Sequence, residues 1–167
     1  MSEEQGHYEV GVGRDAVYVR VVGLATMYNA ACVRDFVERM LEDGYRQVVF
    51  DLASCSGMDS TFLGVLAGAA THGDPDRSPL VTVVNANAEN ARLLDGVGLT
   101  ELIRICPSPV QPPPIRTEAL HERTREEDRL ELIRSAHERL IRIDPRNEAA
   151  FGAFVRALKA QMDSPRK

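Results

Sequence analysis

The sequence predicts an α/β fold, in which a mixed β-sheet is flanked by α-helices and followed by a C-terminal helical hairpin extension. Short β-branched runs alternate with segments whose apolar residues recur every three or four positions, which predicts alternating strands and helices. The first two strand-like runs are separated only by a tight turn, so the sheet should contain one antiparallel pair. A Pro-rich stretch then separates these elements from two further amphipathic patterns.

The first elements are two strands and a helix. Residues 8–12 and 16–22 are alternating or β-branched, and the Gly-Arg-Asp turn at 13–15 between them predicts a β-hairpin. Asn29 is expected to cap the following helix, which Gly44 can end. Apolar residues at helical spacing mark the buried face of this helix: Val33, Phe36, Val37, Met40 and Leu41.

Strands and helices alternate after this point. Residues 48–52 form a short apolar run that is typical of a buried strand, and after a loop of small residues a second helix begins near Ser60. A strand at 80–84, a helix capped by Asn87 and a last strand at 102–105 complete the pattern. The order β-β-α-β-α-β-α-β predicts a mixed sheet whose parallel crossovers are right-handed.

The chain divides into a domain at residues 1–106, a Pro-rich linker at 107–115 and a C-terminal helical hairpin at 116–167. Two apolar stripes mark the hairpin helices: Leu130, Ile133, Ala136, Leu140 and Ile141, then Ala150, Phe151, Phe154, Val155 and Leu158. One such pair cannot bury its own apolar faces, so we expect it to dock on the domain, on a second copy of the chain or on a third protein. Residues 1–110 should fold without it.

Charge and composition limit the classes of function. The chain has 25 acidic and 20 basic residues and a net charge of -5, which opposes direct nucleic-acid binding and favours a protein partner. The longest weakly polar run, residues 61–71, is about half of the roughly 20 residues that span a bilayer, so we predict no membrane insertion. The polar, acidic residues 1–6 do not resemble an export signal. We therefore expect a cytoplasmic location.

The cysteine and histidine patterns predict neither a disulfide framework nor a metal site. The cysteines are widely spaced in apolar surroundings, as expected of reduced thiols: Cys32, Cys55 and Cys106. The histidines share no metal-ligand spacing, and isolated histidines usually lie at the surface or at helix caps. They are His7, His72, His121 and His137. We predict no metal and no cofactor.

The most informative segment is residues 51–66, DLASCSGMDSTFLGVL, between a predicted strand and a predicted helix. It resembles the signature of STAS domains in anti-sigma-factor antagonists: a strand ends in an acidic residue, a Met-Asp-Ser-Ser/Thr block opens the next helix, and a Leu-Gly pair follows. The matching residues are Asp51, Met58, Asp59, Ser60, Thr61, Leu63 and Gly64. Across about residues 8–105 the resemblance implies a STAS-like (SpoIIAA-like) fold. Phe62 departs from the family, which commonly has a small Gly there, and Gly57 replaces a larger residue.

The resemblance implies a bacterial regulator of sigma-factor-dependent transcription rather than an enzyme. The unphosphorylated chain would sequester an anti-sigma-factor serine kinase, which would phosphorylate Ser60, and a serine phosphatase would reset the switch. The implied partner-binding residues are Gly57, Met58, Asp59, Ser60, Thr61, Phe62 and Gly64. The unpaired N–H groups in the first turn of a helix favour a phosphate there. Beside Asp59, a phosphate adds roughly -1.5 to -2 charges and should weaken partner binding.

Other interpretations of the same residues stay open. Asp59 and Ser60 could be ordinary helix caps. A STAS subunit could instead be a scaffold in a stress-sensing or lipid-transport complex, where Ser60 never carries phosphate. A small hydrolase with Ser60 as nucleophile would need a histidine within hydrogen-bond reach, and the Gly-x-Ser-x-Gly elbow is absent. Residues 11–16 satisfy a loose dinucleotide fingerprint, which we assign to the hairpin turn because a strand is predicted directly after it.

Overall fold

The computed structural model describes residues 5–165. Residues 1–4, which carry part of the acidic start behind the prediction about export, lie outside the described residues. The elements are β1 (His7–Val12), β2 (Val17–Ala25), α1 (Ala30–Glu42), β3 (Gln47–Met58), α2 (Ser60–Ala70), β4 (Leu80–Val84), α3 (Ala88–Gly96), β5 (Arg104–Ile105), β6 (Glu118–Leu120), α4 (Glu126–Ile143) and α5 (Asn147–Asp163). Short 3₁₀ helices lie at Pro75–Arg77 and Leu99–Glu101. The predicted α/β architecture is confirmed.

The strands form one mixed sheet in the order β5-β4-β3-β2-β1-β6. Strands β2, β3, β4 and β5 are parallel to one another, whereas β1 is antiparallel to both β2 and β6. Val12 pairs with Val17 across a turn in which the Gly13 N–H donates to the Ala16 carbonyl over 2.8 Å. The dinucleotide-like residues 11–16 therefore belong to a hairpin, as predicted.

The core lies on one face of this sheet, because alternate residues of each strand point to the same side. The buried side chains on this face are Tyr8, Val10, Val17, Val19, Val21, Val48, Phe50, Leu52, Val81 and Val83. Helices α1 and α2 add their apolar residues to the same cluster. The opposite face is polar: Arg20 forms an ion pair with Glu9 at 3.5 Å and donates to Ser54 over 2.9 Å.

Three element predictions need correction. Residues 53–58 form the second half of β3, not a loop, because they pair with β2 through two register shifts. The last predicted strand, residues 102–105, is reduced to Arg104–Ile105, since a 3₁₀ turn that follows the left-handed Gly98 (φ 78°) takes up the chain before it. The C-terminal extension is not wholly helical. Its residues 118–120 form β6, whose backbone pairs with the edge of β1. Three residues are too few to show an alternating pattern, so the sequence does not predict this strand.

The Pro-rich linker joins opposite edges of the sheet across its polar face. Val110 is held to Asn85, at the end of β4, by two hydrogen bonds of 2.8 and 3.0 Å. Further along, the Ile115 side chain lies against Gly11, where a Cβ atom would come within 2.7 Å of it. The five strand spacings between β5 and β6 amount to about 24 Å. An extended Pro-rich chain covers that distance without helix or sheet of its own.

The C-terminal helices pack on the domain. Helix α4 lies along α2, and α5 packs on α4. The face of α4 turned towards the domain buries Leu132, Ile133, Ala136 and Leu140. Of the three expected docking sites for the hairpin, the structure shows the domain itself. Within residues 5–165, no helix has both the length and the apolarity that a membrane span requires.

Candidate functional site

The site is built around the start of α2, directly after β3. Asp59 is the N-cap: its Oδ1 accepts from the Phe62 N–H over 2.9 Å, and its Oδ2 accepts from the Met27 N–H over 2.8 Å. One carboxylate therefore caps α2 and also fixes the loop after β2. Of the two predicted caps, only Asp59 has this role. Ser60 is the first helical residue, and its hydroxyl is available for another partner.

That partner is His137 of α4. The Ser60 Oγ lies 2.7 Å from the His137 Nε2, and the His137 Nδ1 lies 2.6 Å from the Ile133 carbonyl oxygen. A carbonyl oxygen only accepts, so Nδ1 carries a proton, and in the neutral ring Nε2 accepts from the Ser60 hydroxyl. The imidazole is 3% exposed and contacts the rings of Phe151 and Phe154 edge-on at 5.0 and 5.1 Å. The expectation that His137 lies at the surface or at a cap is wrong.

Small residues on α2 allow α4 to come close. A Cβ atom on Gly64 would lie 2.5 Å from the Ala136 Cβ and would also overlap the Ala136 carbonyl. One turn later, Gly68 lies against the Arg139 guanidinium. The helices therefore touch through backbone where other residues would separate them, and this contact brings His137 to Ser60.

The partner-binding residues implied by the resemblance divide into two groups. Gly57, Met58, Asp59 and Ser60 are half-buried. Thr61, Phe62 and Gly64 are buried, the last beneath α4. Phe62 is 0% exposed and packs on the rings of Tyr8 and Phe50, so the large side chain at this position fills the core. In this arrangement only the first group lies at the surface.

The acidic residue of the motif, Asp51, has a structural role. Its carboxylate is 1% exposed and accepts from the Tyr18 hydroxyl, from the Asn85 side chain over 2.9 Å and from the Ala53 N–H over 2.9 Å. Burial acts to raise the pKa of Asp51, but these hydrogen bonds outweigh burial and hold the pKa below its ordinary value. Burial and the bond to Asp51 raise the pKa of Tyr18 well above its ordinary value. Asp51 thus ties β2, β3 and β4 together.

A concave surface lies near the start of α1. It encloses about 580 Å³ and is lined by Gln5, Gly6, Leu24, Thr26, Tyr28, Asn29, His121 and Arg123. Asn29 stands at the N-cap of α1, but its amide bonds to Tyr8, Thr26, Gly6 and Leu24 rather than to the helix. The Thr124 hydroxyl instead accepts from the Ala31 N–H over 3.4 Å. The predicted cap by Asn29 is therefore wrong, because a residue from the extension takes this role.

A mixed sheet with a Met-Asp-Ser-Thr block at the start of its central helix defines a STAS-type domain. A family model described as "Mlab, STAS domain" matches residues 10–104. Since this is more than half of the chain, the chain belongs to this family of STAS domains. The match ends before the linker, so α4 and α5 lie outside the family domain. A comparison with curated proteins gave no match.

Solved structures share the fold at low sequence identity. The anti-sigma factor antagonist SpoIIAA in its unphosphorylated form is 16% identical, with a TM-score of 0.50 over 60% of this chain and 88% of that one. An anti-sigma factor antagonist from Mycobacterium paratuberculosis is 18% identical, with a TM-score of 0.52 over 62% and 87%. The solution structure of the protein TM1081 is 20% identical, with a TM-score of 0.51 over 58% and 78%. These likenesses establish the SpoIIAA-like fold.

Proposed function

We propose that this chain is an anti-sigma-factor antagonist, a protein-binding switch that sequesters an anti-sigma-factor kinase and is controlled by phosphorylation of Ser60. The observation that carries the proposal is the position of Ser60. It is the first residue of α2, in the Met-Asp-Ser-Thr block, and it lies beside a half-buried surface formed by Gly57, Met58 and Asp59. The anti-sigma factor antagonists among the structural neighbours support the same class. The proposal assigns no catalysis to the chain itself.

The chemistry of the helix start supports a phosphate at this residue. Asp59 already accepts from the Phe62 N–H, so the other N–H groups of the first turn are left to stabilise an anion on Ser60. The Asp59 carboxylate next to it makes the local surface strongly negative once phosphate is attached. A partner that fits the neutral serine would then lose affinity. The kinase, a resetting serine phosphatase and a bacterial cytoplasmic setting all follow from this proposal.

Two observations favour a scaffold subunit without phosphate turnover. The family model that matches carries the Mlab description, and the Ser60 hydroxyl already has a hydrogen-bond partner in His137. A STAS scaffold in a stress-sensing or lipid-transport complex would use the same surface with Ser60 permanently unmodified. Its partner affinity would not depend on charge at residue 60.

The bond between Ser60 and His137 also provides the histidine that a serine hydrolase would need. However, the imidazole is almost fully buried, its Nδ1 faces a backbone carbonyl rather than a carboxylate, and the 580 Å³ concave surface is lined by neither residue. A fluorophosphonate probe tests this activity directly. Failure of the probe to label Ser60 would exclude the hydrolase function.

The proposed switch is tested with the full chain, anti-sigma-factor kinases and ATP, followed by mass mapping of the phosphorylated residue. We expect phosphate on Ser60, and none in Ser60→Ala. Ser56→Ala, which changes an exposed serine four positions earlier on β3, is the matched control and should still be phosphorylated. Ser60→Ala should bind the kinase permanently and Ser60→Asp should bind it poorly. Equal affinities of these two variants would favour the scaffold.

A further inference from the structure

The segment that covers Ser60 is not part of the STAS domain. The family match ends at residue 104, whereas His137 and Ala136 belong to α4. Helix α4 lies along α2 from Ser60 to Gly68, so it occupies the flank of the helix whose first turn carries the proposed switch. The chain therefore covers this flank of α2 with a segment of its own.

The extension is fixed to the domain beyond the two helices. The Thr124 N–H donates to the Tyr28 carbonyl over 2.7 Å, and the Arg129 guanidinium lies 4.6 Å from the centre of the Tyr28 ring. At the other end of α4, the Asn147 side chain donates to the Val97 carbonyl over 2.9 Å. The docked position is thus specified at the start of α1, along α2 and after α3. Such contacts define one bound arrangement rather than loose apolar association.

We infer that α4 and the protein partner compete for α2, so that the extension is an intramolecular inhibitor of the switch. With α4 docked, the Ser60 hydroxyl is engaged by His137, and the partner can reach the half-buried residues from Gly57 to Ser60 but not the flank of α2 beyond them. With α4 released, the flank formed by Ser60, Gly64 and Gly68 becomes available. This inference rests on the proposed function for the identity of the partner, an anti-sigma-factor kinase, but not for the closure itself.

Phosphorylation of Ser60 and docking of α4 oppose each other for a geometric reason. Transfer of a phosphoryl group from ATP forms a bond from the Ser60 Oγ to phosphorus, breaks the bond from phosphorus to the ADP oxygen, and releases the hydroxyl proton to solvent. In the docked state the His137 Nε2 is 2.7 Å from this oxygen, so the ring occupies the side of the hydroxyl that faces α4, and a phosphate directed to that side would displace it. The phosphate would also press its charge against a ring enclosed by Phe151 and Phe154. Phosphate therefore favours release of α4, and docked α4 in turn disfavours the phosphorylated state. Docked α4 should also slow the kinase, because His137 engages the hydroxyl that the kinase must reach.

Closure can be measured without a kinase through a thiol placed at the switch. In the full-length Ser60→Cys variant, we expect slow alkylation of Cys at residue 60 by iodoacetamide, followed by peptide mass analysis. Adding Ala136→Leu should push α4 off Gly64 and speed alkylation by at least about tenfold, as the open fraction rises. Adding Ala157→Leu, the same change at an exposed position of α5, should leave the rate unchanged. Buried Cys55 monitors global unfolding in each sample.

A second variant and a second readout distinguish failure of this inference from failure of the proposed function. His137→Ala removes the ring but not the helix contact, so it should also speed alkylation even if Ala136→Leu fails to fold. Rapid alkylation at the same rate in every folded variant would overturn the inference. The kinase assay is then run on Ala136→Leu and Ala157→Leu with native Ser60, and faster phosphorylation of the first supports competition. If alkylation behaves as expected but no variant accepts phosphate, the proposed function fails and the closure of Ser60 by α4 stands.

Discussion

Helices α2 and α3 begin in the same way but lie in different surroundings. Each follows a parallel strand, and each N-cap side chain, Asp59 or Asn87, accepts from the backbone N–H three residues later. Yet every residue of α2 after the first is buried, from Thr61 to Ala70, whereas α3 buries only Asn90 and Leu94. The cause is α4, which covers the side of α2 that faces away from the sheet.

The difference is already present in the residues of the two helices. Helix α2 has no charged residue and is apolar on all sides, which is typical of a helix enclosed on both faces. Helix α3 carries Glu89, Arg92 and Asp95 among its apolar residues, as expected of a helix with one solvent-exposed face. The glycines of α2 then select what covers it, because only a closely approaching helix fills the space above Gly64 and Gly68.

The largest difference between the two helices should appear when one leucine of each is truncated to alanine. Leu66→Ala in α2 removes a fully buried side chain and should lower the free energy of unfolding by about 2 to 5 kcal/mol. Leu93→Ala in α3, where the side chain is 36% exposed, should cost less than about 1 kcal/mol. Urea unfolding followed by circular dichroism measures both. Similar losses would contradict the view that α2 is the enclosed helix.

The glycines of the two helices should respond with opposite signs. Gly64→Ala places a methyl group against Ala136 and should cost about 1 to 3 kcal/mol through overpacking. Gly96→Ala at the exposed end of α3 meets no atom within 4 Å, so it should be neutral or stabilise by up to about 1 kcal/mol. Thermal unfolding of both variants gives the comparison. A stabilising Gly64→Ala would mean that α4 does not pack closely on α2.

A feature of the fold could be predicted from the sequence where its signal is a local pattern of residues. Strand alternation, helical spacing and the Met-Asp-Ser-Thr block are local patterns, and they predicted the sheet, α1 to α3 and the position of Ser60 correctly. The register shifts of β3 and the pairing of β6 depend on the neighbouring strands, which no local pattern encodes.

His137 was missed for a similar reason. Its role depends on a contact between residues 77 positions apart, and an isolated histidine on an amphipathic helix gives no signal of it. The uninterrupted apolarity of α2 was the available clue, because the sheet can cover only one side of a helix. Combined with the apolar stripe of α4, it predicts which helix the extension covers. The Asn29 cap failed because Thr124, on a distant segment, competes for the same helix start.

The N-cap residues of α3 and α2 should differ in how much they stabilise the protein, because Asp59 also binds the loop after β2. Asn87→Ala removes one bond to the Asn90 N–H, which should cost about 1 kcal/mol. Asp59→Ala removes the bond to Phe62 and also the bond to the Met27 N–H, so it should cost up to about 2 kcal/mol. Hydrogen exchange should show faster exchange at Met27 only in Asp59→Ala. Equal losses of stability in the two variants, with unchanged exchange at Met27, would show that Asp59 acts only as a helix cap.

The smallest effect should come from an ion pair that joins α5 to α4. Lys159 Nζ lies 2.8 Å from a Glu138 carboxylate oxygen, and this hydrogen bond, helped by Arg134, holds the pKa of Glu138 below its ordinary value. Since the pair is partly exposed and screened by salt, Lys159→Ala should cost at most about 1 kcal/mol at neutral pH. A folded-state pKa below the unfolded one stabilises at pH values above the unfolded pKa, about 4.3, and this contribution is lost as pH falls through the folded pKa. The stability difference between the native chain and Lys159→Ala should therefore shrink on acidification and in high salt. Gln161→Ala, at a nearby exposed position of α5, should show neither dependence. A difference that persisted at low pH would mean that Lys159 acts through packing of its aliphatic stem rather than through its charge.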